Sequence, residues 1–143
     1  MKTRLFFLNA LIFMAVMAAC GSLTNFADAT TPKRYAWITG LKPDKAARYE
    51  YLHTHAWPGV TAMNKACHIQ NFSINEIKIG DKIYLSAHLE YTGNDFDADM
   101  KKMAADPTVQ RWWKETDPCQ IPLPAAAAKG KIWTDMKEVY FMP

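Results

Sequence analysis

Residues 68–91 read HIQNFSINEIKIGDKIYLSAHLEY, two strand-like segments joined by the turn residues Gly80 and Asp81. Runs rich in β-branched and aromatic residues on either side of a short glycine turn are typical of a β-hairpin. We therefore predict strands over residues 68–79 and 82–91. The second strand alternates, with Ile83, Leu85, Ala87, Leu89 and Tyr91 on one face and Tyr84, Ser86, His88 and Glu90 on the other. The apolar face suits a core beneath helices, and the polar, partly aromatic face suits a ligand pocket.

Three elements are predicted before the hairpin. The alternation over residues 34–41 indicates a strand. Pro43-Asp44 opens a helix that runs to about residue 56, and Pro58 can be the first residue of a second helical segment to about residue 66.

Two helices and a strand are predicted after the hairpin. Asn94 can cap a helix whose buried stripe is Phe96, Met100 and Met103. Asp106-Pro107 is typical of a cap and first residue of another short helix. Residues 118–131 hold three prolines and four consecutive alanines, which predicts a loop or a single loose turn. Residues 138–142 are predicted to form the last strand.

The order β-α-β-β-α-β is that of the α+β ferredoxin-like sandwich, one antiparallel sheet with helices on one face. The other face of such a sheet needs cover, and two sheets packed together supply it. We therefore expect a homodimer built as a dimeric α+β barrel.

The first nineteen residues are predicted to be a secretory signal. Lys2 and Arg4 precede an apolar run over residues 5–19, which ends in small residues. The run is shorter than the roughly 20 residues that span a membrane. Removal of the signal lowers the formal net charge from +3 to +1, so the apparent basicity lies mostly in the signal. Nothing indicates a nucleic-acid partner, which requires a clustered basic face.

Cys20 follows Met17-Ala18-Ala19 and resembles the lipidated cysteine of a bacterial lipobox, although Met17 replaces the usual leucine. We predict a lipid anchor on Cys20, a tether over residues 20–33 and one domain over residues 34–143. The protein would then lie on the periplasmic face of a membrane. The alternative is soluble periplasmic export, with cleavage after Ala19 or Ala29.

Cys67 and Cys119 are the cysteines of the domain. An exported protein can oxidise such a pair to a disulfide. Free cysteine also behaves as a small hydrophobe, and we interpret the two as buried thiols. The sequence does not decide whether a disulfide forms, because it does not place the two sulfurs within bonding distance.

Four histidines are candidate metal ligands: His53, His55, His68 and His88. His53 and His55 are two residues apart, so in a helix they point about 200° away from each other. No HExxH motif and no paired CxxC motif is present. The sequence therefore predicts no metal site. The lack of a GxSxG motif argues against nucleophilic catalysis by a serine, and the lack of a glycine-rich loop argues against phosphate binding.

Tyr49 and His53 are four residues apart, so a helix places both on one face. Histidine titrates near neutrality and suits general acid–base catalysis. Tyrosine can hydrogen-bond a substrate oxygen, and the tryptophan faces at Trp112 and Trp113 suit the C–H face of a sugar. Proton transfer on a small polar ring is thus indicated. The alternative is a structural hydrogen bond between the two residues.

Four sequence blocks resemble the L-rhamnose mutarotase family, over residues 34–143. Pro43-Asp44 with Tyr49, His53 and Trp57-Pro58 form the first block. The other three are Asn71-Phe72, the segment QRWWK at residues 110–114 and the ending EVYFMP at residues 138–143.

The resemblance implies a dimeric ferredoxin-like enzyme that interconverts the α and β anomers of a deoxyhexose without a cofactor. It implies that His53 is the proton donor and that Tyr49, Trp112 and Trp113 contact the monosaccharide. Phe72 stands where the family has a second pocket tyrosine, and this leaves the sugar specificity open. The exported N-terminus is a second departure, because familiar members are cytoplasmic.

Two other functions stay open at this point. The pocket could bind a sugar without turnover, as an exported binding module. The same frame also carries haem- or quinone-handling monooxygenases, which is an analogy of fold alone. For a mutarotase, the strand-face residues His88 and Glu90 are candidates for the second acid–base group.

Overall fold

A computed structural model of the protein describes residues 31–143, and it contains the predicted hairpin at residues 68–91. Strand β2 (Ile69–Ile79) pairs antiparallel with β3 (Lys82–Tyr91), and Gly80 adopts the left-handed backbone that the tight turn requires. The predicted signal, the lipidated Cys20 and nearly all of the tether lie outside the described residues. Within them, no helix is both long and apolar enough to cross a membrane.

The sheet grows outward from β3. Strand β1 (Lys33–Leu41) pairs antiparallel with β3, and two short strands, β4 (Gln120–Ile121) and β5 (Thr134–Asp135), pair with the far side of β1. The backbone of β4 approaches so closely that a Cβ at Gly40 would lie 3.0 Å from the carbonyl oxygen of Ile121. Glycine at this position therefore permits the pairing.

The helices lie in chain order around this sheet. They are α1 (Ala46–Thr54), preceded by a 3-10 turn at Pro43–Lys45; α2 (Pro58–Ala66); α3 (Phe96–Ala105); α4 (Pro107–Thr116); and the single turn α5 (Pro124–Ala127). The first helix ends two residues earlier than predicted. Its C-cap is His55, and the extended Trp57 then leads into Pro58 at the first position of α2.

The caps of α3 and α4 are both aspartates. The carboxylate of Asp106 accepts hydrogen bonds from the backbone N–H groups of Thr108 and Val109, as predicted. The cap of α3 is Asp95, one residue beyond the predicted Asn94, and its carboxylate accepts from the N–H of Ala98 at 3.0 Å. An aspartate at this position also interacts favourably with the positive end of the helix dipole.

The core lies between the helices and the apolar face of β3, as the alternation predicted. Leu85, Ala87, Leu89 and Tyr91 are buried there. Cys67 belongs to one core cluster, with Leu89 and Tyr91, and Cys119 belongs to another, with Leu85. Both thiols are free, and burial raises the pKa of each. The interpretation as buried thiols is confirmed.

The predicted last strand over residues 138–142 is wrong. Backbone pairing with β1 ends where the N–H of Met136 donates to the carbonyl of Ala36. Since β1 begins at Lys33, too little of it remains beyond Ala36 to pair a five-residue strand. Side chains hold the segment instead. The Glu138 carboxylate accepts two hydrogen bonds from Arg34, at 2.8 and 2.7 Å, and the Arg34 guanidinium stacks on the ring of Phe141.

The edge strands therefore come from elsewhere in the sequence. Residues 118–131 were predicted as a loop or a loose turn, yet they contain β4 as well as the turn α5. The architecture is nevertheless the predicted one, an α+β fold with a curled antiparallel sheet and its helices packed on one face.

Candidate active site

A cavity of about 590 Å³ lies between the first two helices and the sheet. Its helical wall carries Tyr49 and His53 from α1, with Trp112 from α4. Its sheet wall comes mainly from β2, with Leu85 of β3. A cavity of this size with mixed apolar and polar walls is typical of a small-molecule site.

His53 is half-buried in the helical wall, and its two ring nitrogens have different surroundings. Nδ1 lies 2.9 Å from the carbonyl oxygen of Tyr49. A carbonyl oxygen only accepts, so the neutral ring carries its hydrogen on Nδ1 and leaves Nε2 unprotonated. The ring stacks on Tyr49 at 4.1 Å and meets the edge of Trp112 at 5.3 Å between centroids. Nε2 is therefore the nitrogen available to a ligand.

Burial lowers the pKa of His53, and the hydrogen bond to the Tyr49 carbonyl opposes this in part. The neutral imidazole is consequently the favoured resting form at neutral pH. The imidazolium, once formed, is a stronger acid than a solvent-exposed one. Such a group suits proton donation followed by proton recovery.

His55 shows which feature distinguishes His53. Its Nδ1 also lies close to the carbonyl of the residue four earlier, 3.0 Å from Tyr51, and its ring also stacks on that tyrosine. His55 is nevertheless exposed and does not line the cavity. The contacts between a histidine and the tyrosine four residues earlier are thus a local feature of the helix. His53 differs from His55 because it lies on the cavity wall.

Tyr49 is buried, 4 % exposed, and packs in the cluster of Leu41, Leu85 and Cys119. Burial is the main cause that raises its pKa, with Cys119 and Asp117 adding to the effect. Its hydroxyl therefore stays protonated throughout the physiological range and can act as a donor to a ligand oxygen.

The two adjacent tryptophans have different positions. Trp112 is 6 % exposed, packs with Leu52, Val60 and Trp57, and reaches the cavity. Trp113 is 36 % exposed and does not line the cavity. Adjacent helical residues point about 100° apart, which accounts for the difference. The structure brings His53, Tyr49 and Trp112 together and leaves Trp113 apart from them.

The sheet wall contains Phe72 and also Glu76, which no sequence motif indicated. Phe72, which the resemblance drew attention to, lies here and is 46 % exposed. Glu76 also lies here, and its cross-strand neighbour is Leu85. The two-residue turn at Gly80-Asp81 fixes this register, so the signal was present in the sequence.

His88 and Glu90 lie on the opposite face of the sheet from His53. They line a separate cavity of about 450 Å³. There Glu90 accepts hydrogen bonds from Gln70 and Asn71, and His88 pairs with Ser86 at 2.8 Å. The structure does not bring these two candidates to His53, and the cavity that holds His53 is on the apolar side of β3 and not on its polar side.

No group of three or more histidine, cysteine or acidic side chains among residues 31–143 is arranged to hold a metal ion. The cavity walls carry several polar and aromatic side chains. They include an imidazole, a protonated phenol, an indole, the Lys65 ammonium and two carboxylates, Glu50 and Glu76.

Comparison with known proteins gives a consistent result. The family model described as L-rhamnose mutarotase matches residues 34–142. An L-rhamnose mutarotase of Escherichia coli O1:K1 is 25% identical over 111 residues, covering 77% of this chain and 98% of that protein. One from Klebsiella pneumoniae is 24% identical over 109 residues, covering 76% and 97%.

Solved structures share the fold. The crystal structure of an L-rhamnose mutarotase from Formosa agariphila has a TM-score of 0.58 at 20% identity, covering 78% of this chain and 99% of that one. Tetracenomycin F2 cyclase from Streptomyces glaucescens, a polyketide cyclase, has a TM-score of 0.53 at 12% identity over the same shares. One frame thus carries unlike chemistries, and the family model together with the sequence relatives decides between them: the chain belongs to the L-rhamnose mutarotase family.

Proposed function

We propose that this protein is a cofactor-independent mutarotase that interconverts the α and β anomers of L-rhamnose or a similar 6-deoxy sugar. Membership of the family supports an isomerase of this kind. The observation that carries the proposal is the position of His53, with Nδ1 bound to the Tyr49 carbonyl and Nε2 available on the wall of a cavity large enough for a monosaccharide.

The reaction needs a proton donor at the ring oxygen. The imidazolium of His53 would give its Nε2 proton to that oxygen as the bond between it and the anomeric carbon breaks. A base, or a water linked to the substrate, takes the proton of the anomeric hydroxyl, and an open-chain aldehyde results. Closure on the other face of the carbonyl reverses both transfers, and the protein returns to its starting state.

Tyr49 and Trp112 would position the sugar. The hydroxyl of Tyr49 stays protonated because burial raises its pKa, so it can donate to a sugar oxygen. The buried indole of Trp112 offers an apolar face to the sugar's C–H groups. The geometry of a single chain does not support a sugar contact by Trp113, because this residue does not line the cavity.

The rate of catalysed exchange is expected to fall as pH rises, with its midpoint below about 6.5, the usual histidine value. Burial lowers the pKa of His53, so the reactive imidazolium is lost already below that pH. The other titratable groups that face it are Tyr49 and Glu50 on its own helix, Lys65 of α2 and Glu76 of β2. Exchange rates from pH 4.5 to 8, corrected for solvent-catalysed exchange, check this. A corrected rate that climbs steadily to pH 8 would contradict donation by His53.

The sugar specificity is tested by polarimetry with freshly dissolved single anomers. Phe72 lacks the hydroxyl of the tyrosine expected there, so we expect acceleration for L-rhamnose and at least one further 6-deoxy sugar, with less for glucose. If sugars bind but none relaxes faster than in buffer, the protein is a binding module and the mutarotase proposal fails.

A homodimer is also proposed. Support comes from exposed apolar side chains on the helix-free face of the sheet and in the C-terminal segment, which are Ile77, Ile79, Val139, Tyr140 and Met142. Such surfaces mark interaction sites, and a second copy of the sheet would cover them. Light scattering should give twice the chain mass, and a monomeric mass at micromolar concentration would contradict the proposal.

Export with a lipid on Cys20 is proposed from the sequence of residues 1–20 alone. The periplasmic face of a membrane would then be the site of action, with soluble periplasmic export as the alternative. Metabolic labelling with a fatty acid, compared between the natural chain and Cys20→Ser, distinguishes the two: label that is absent from both would rule out the anchor.

A further inference from the structure

His53 alone supplies only half of the proton transfers that ring opening requires. When its imidazolium donates to the ring oxygen, a second group must accept the proton of the anomeric hydroxyl in the same event. The two strand-face candidates, His88 and Glu90, line the cavity on the other side of the sheet. Among the described residues, the candidates for the acceptor are therefore the groups on the walls of the cavity that holds His53.

We propose that Glu76 is this acceptor, an inference that rests on the proposed mutarotase function. Its cross-strand neighbour is Leu85, a buried residue of the same cavity wall. Cross-strand neighbours place their side chains on the same face of a sheet. Ile74, two residues earlier on β2, packs against the cluster that contains Tyr49. The Glu76 side chain consequently belongs to the helix-facing side of the sheet, the side on which His53 lies.

The Glu76 carboxylate is available to a ligand. None of the ion pairs and side-chain hydrogen bonds found within residues 31–143 involves it. His53 is bonded only to the Tyr49 carbonyl there, so the imidazole and the carboxylate do not engage each other. Helix α1 and strand β2 form facing walls, and a sugar ring would lie between the donor on one and the acceptor on the other.

Glu50 is the competing carboxylate, since it also lines the cavity. It lies on α1 three residues before His53, and residues at that spacing are neighbours on one helix face. It is therefore placed beside the donor, on the same wall, whereas Glu76 is placed across the cavity. The remaining titratable groups on these walls are Tyr49, which stays protonated, and Lys65 of α2, which cannot accept a proton while charged.

The transfers balance without a further reactant. The His53 imidazolium gives its proton to the ring oxygen, the bond from that oxygen to the anomeric carbon breaks, and the Glu76 carboxylate takes the hydroxyl proton as the carbonyl forms. The open form leaves a neutral His53 and a protonated Glu76. The aldehyde group then rotates and presents its other face to the hydroxyl that was the ring oxygen. As this hydroxyl attacks and the ring closes, Glu76 returns its proton to the carbonyl oxygen and His53 recovers its proton from the attacking hydroxyl.

Glu76→Gln tests the proposal, because the amide keeps the size and loses the basicity. We expect kcat for L-rhamnose exchange to fall about 100-fold or more, with KM changed only a few-fold, as for removal of a general base. Glu76→Asp should recover part of the rate. Asp81→Asn, an acid-to-amide change at the exposed turn outside the cavity, should leave the kinetics unchanged.

The outcomes separate this inference from the function beneath it. If the natural protein shows no exchange, the mutarotase proposal fails and the role of Glu76 with it. If the natural protein is active while kcat of Glu76→Gln stays within about three-fold of it, Glu76 is not the acceptor. A loss of kcat in Glu50→Gln but not in Glu76→Gln would assign the role to Glu50 and overturn the proposal.

Discussion

Replacing His53 with alanine is expected to lower catalysed anomer exchange by about 100- to 10,000-fold, the usual contribution of a general acid–base residue. The imidazole lies on the helical wall of the cavity, burial lowers its pKa, and its Nε2 is the nitrogen not bonded to the Tyr49 carbonyl. Sugar affinity should fall less, because Tyr49 and Trp112 remain. Exchange kinetics and sugar titration on the same sample separate the two effects.

His55→Ala is the matched control. His55 makes the same contacts to its own helix, a bond to the Tyr51 carbonyl and a stack on the Tyr51 ring, but it lies outside the cavity. Both substitutions therefore remove the same contacts within helix α1, while His55→Ala should leave the exchange rate unchanged. Equal losses of exchange rate in the two variants would show that the rate depends on the contacts within helix α1 and not on the position of His53 in the cavity.

Replacing Trp112 with alanine is expected to lower the free energy of unfolding by about 3–5 kcal/mol, as for other buried tryptophans. The indole is 6 % exposed and fills the space between Leu52, Val60 and Trp57. A loss of that size is a large part of the roughly 5–15 kcal/mol that stabilises a typical domain. Urea denaturation followed by circular dichroism measures it without relying on tryptophan fluorescence.

Trp113→Ala is the control for this prediction, because the two residues are adjacent and of the same type. Trp113 is 36 % exposed and belongs to none of the buried clusters, so its loss should cost about 1 kcal/mol or less. If the two variants unfolded at the same urea concentration, the packing of Trp112 would not be a main support of the cavity wall.

The hairpin was predictable because two local signals agree. The alternation of β3 assigned its buried face, and the turn at Gly80-Asp81 set the register with β2. The C-terminal segment was not predictable in the same way. Residues 138–142 have the composition of a strand. Most of that edge of β1, however, already pairs with β4, β5 and Met136, and β1 begins at Lys33, so too few of its residues remain as partners. Strand formation there depends on a distant partner, which local pattern does not report.

The helical half of the cavity was predictable and the sheet half was only partly so. Tyr49 and His53 share a helix face by simple spacing, and both reach the cavity. His88 and Glu90 were attractive because a polar, aromatic strand face resembles a pocket, yet helix packing placed His53 on the other side of the sheet. Glu76 could have been found from the hairpin register, since its partner Leu85 was already assigned to the core face.

Anomer interconversion is measured most directly by saturation-transfer NMR on the anomeric protons of L-rhamnose. With the natural protein at pH 6, saturation of the α-anomer signal should reduce the β-anomer signal, and the effect should grow with protein concentration. His53→Ala at the same concentration should leave the β signal as it is in buffer. Transfer that is no greater with the natural protein than in buffer would contradict a mutarotase.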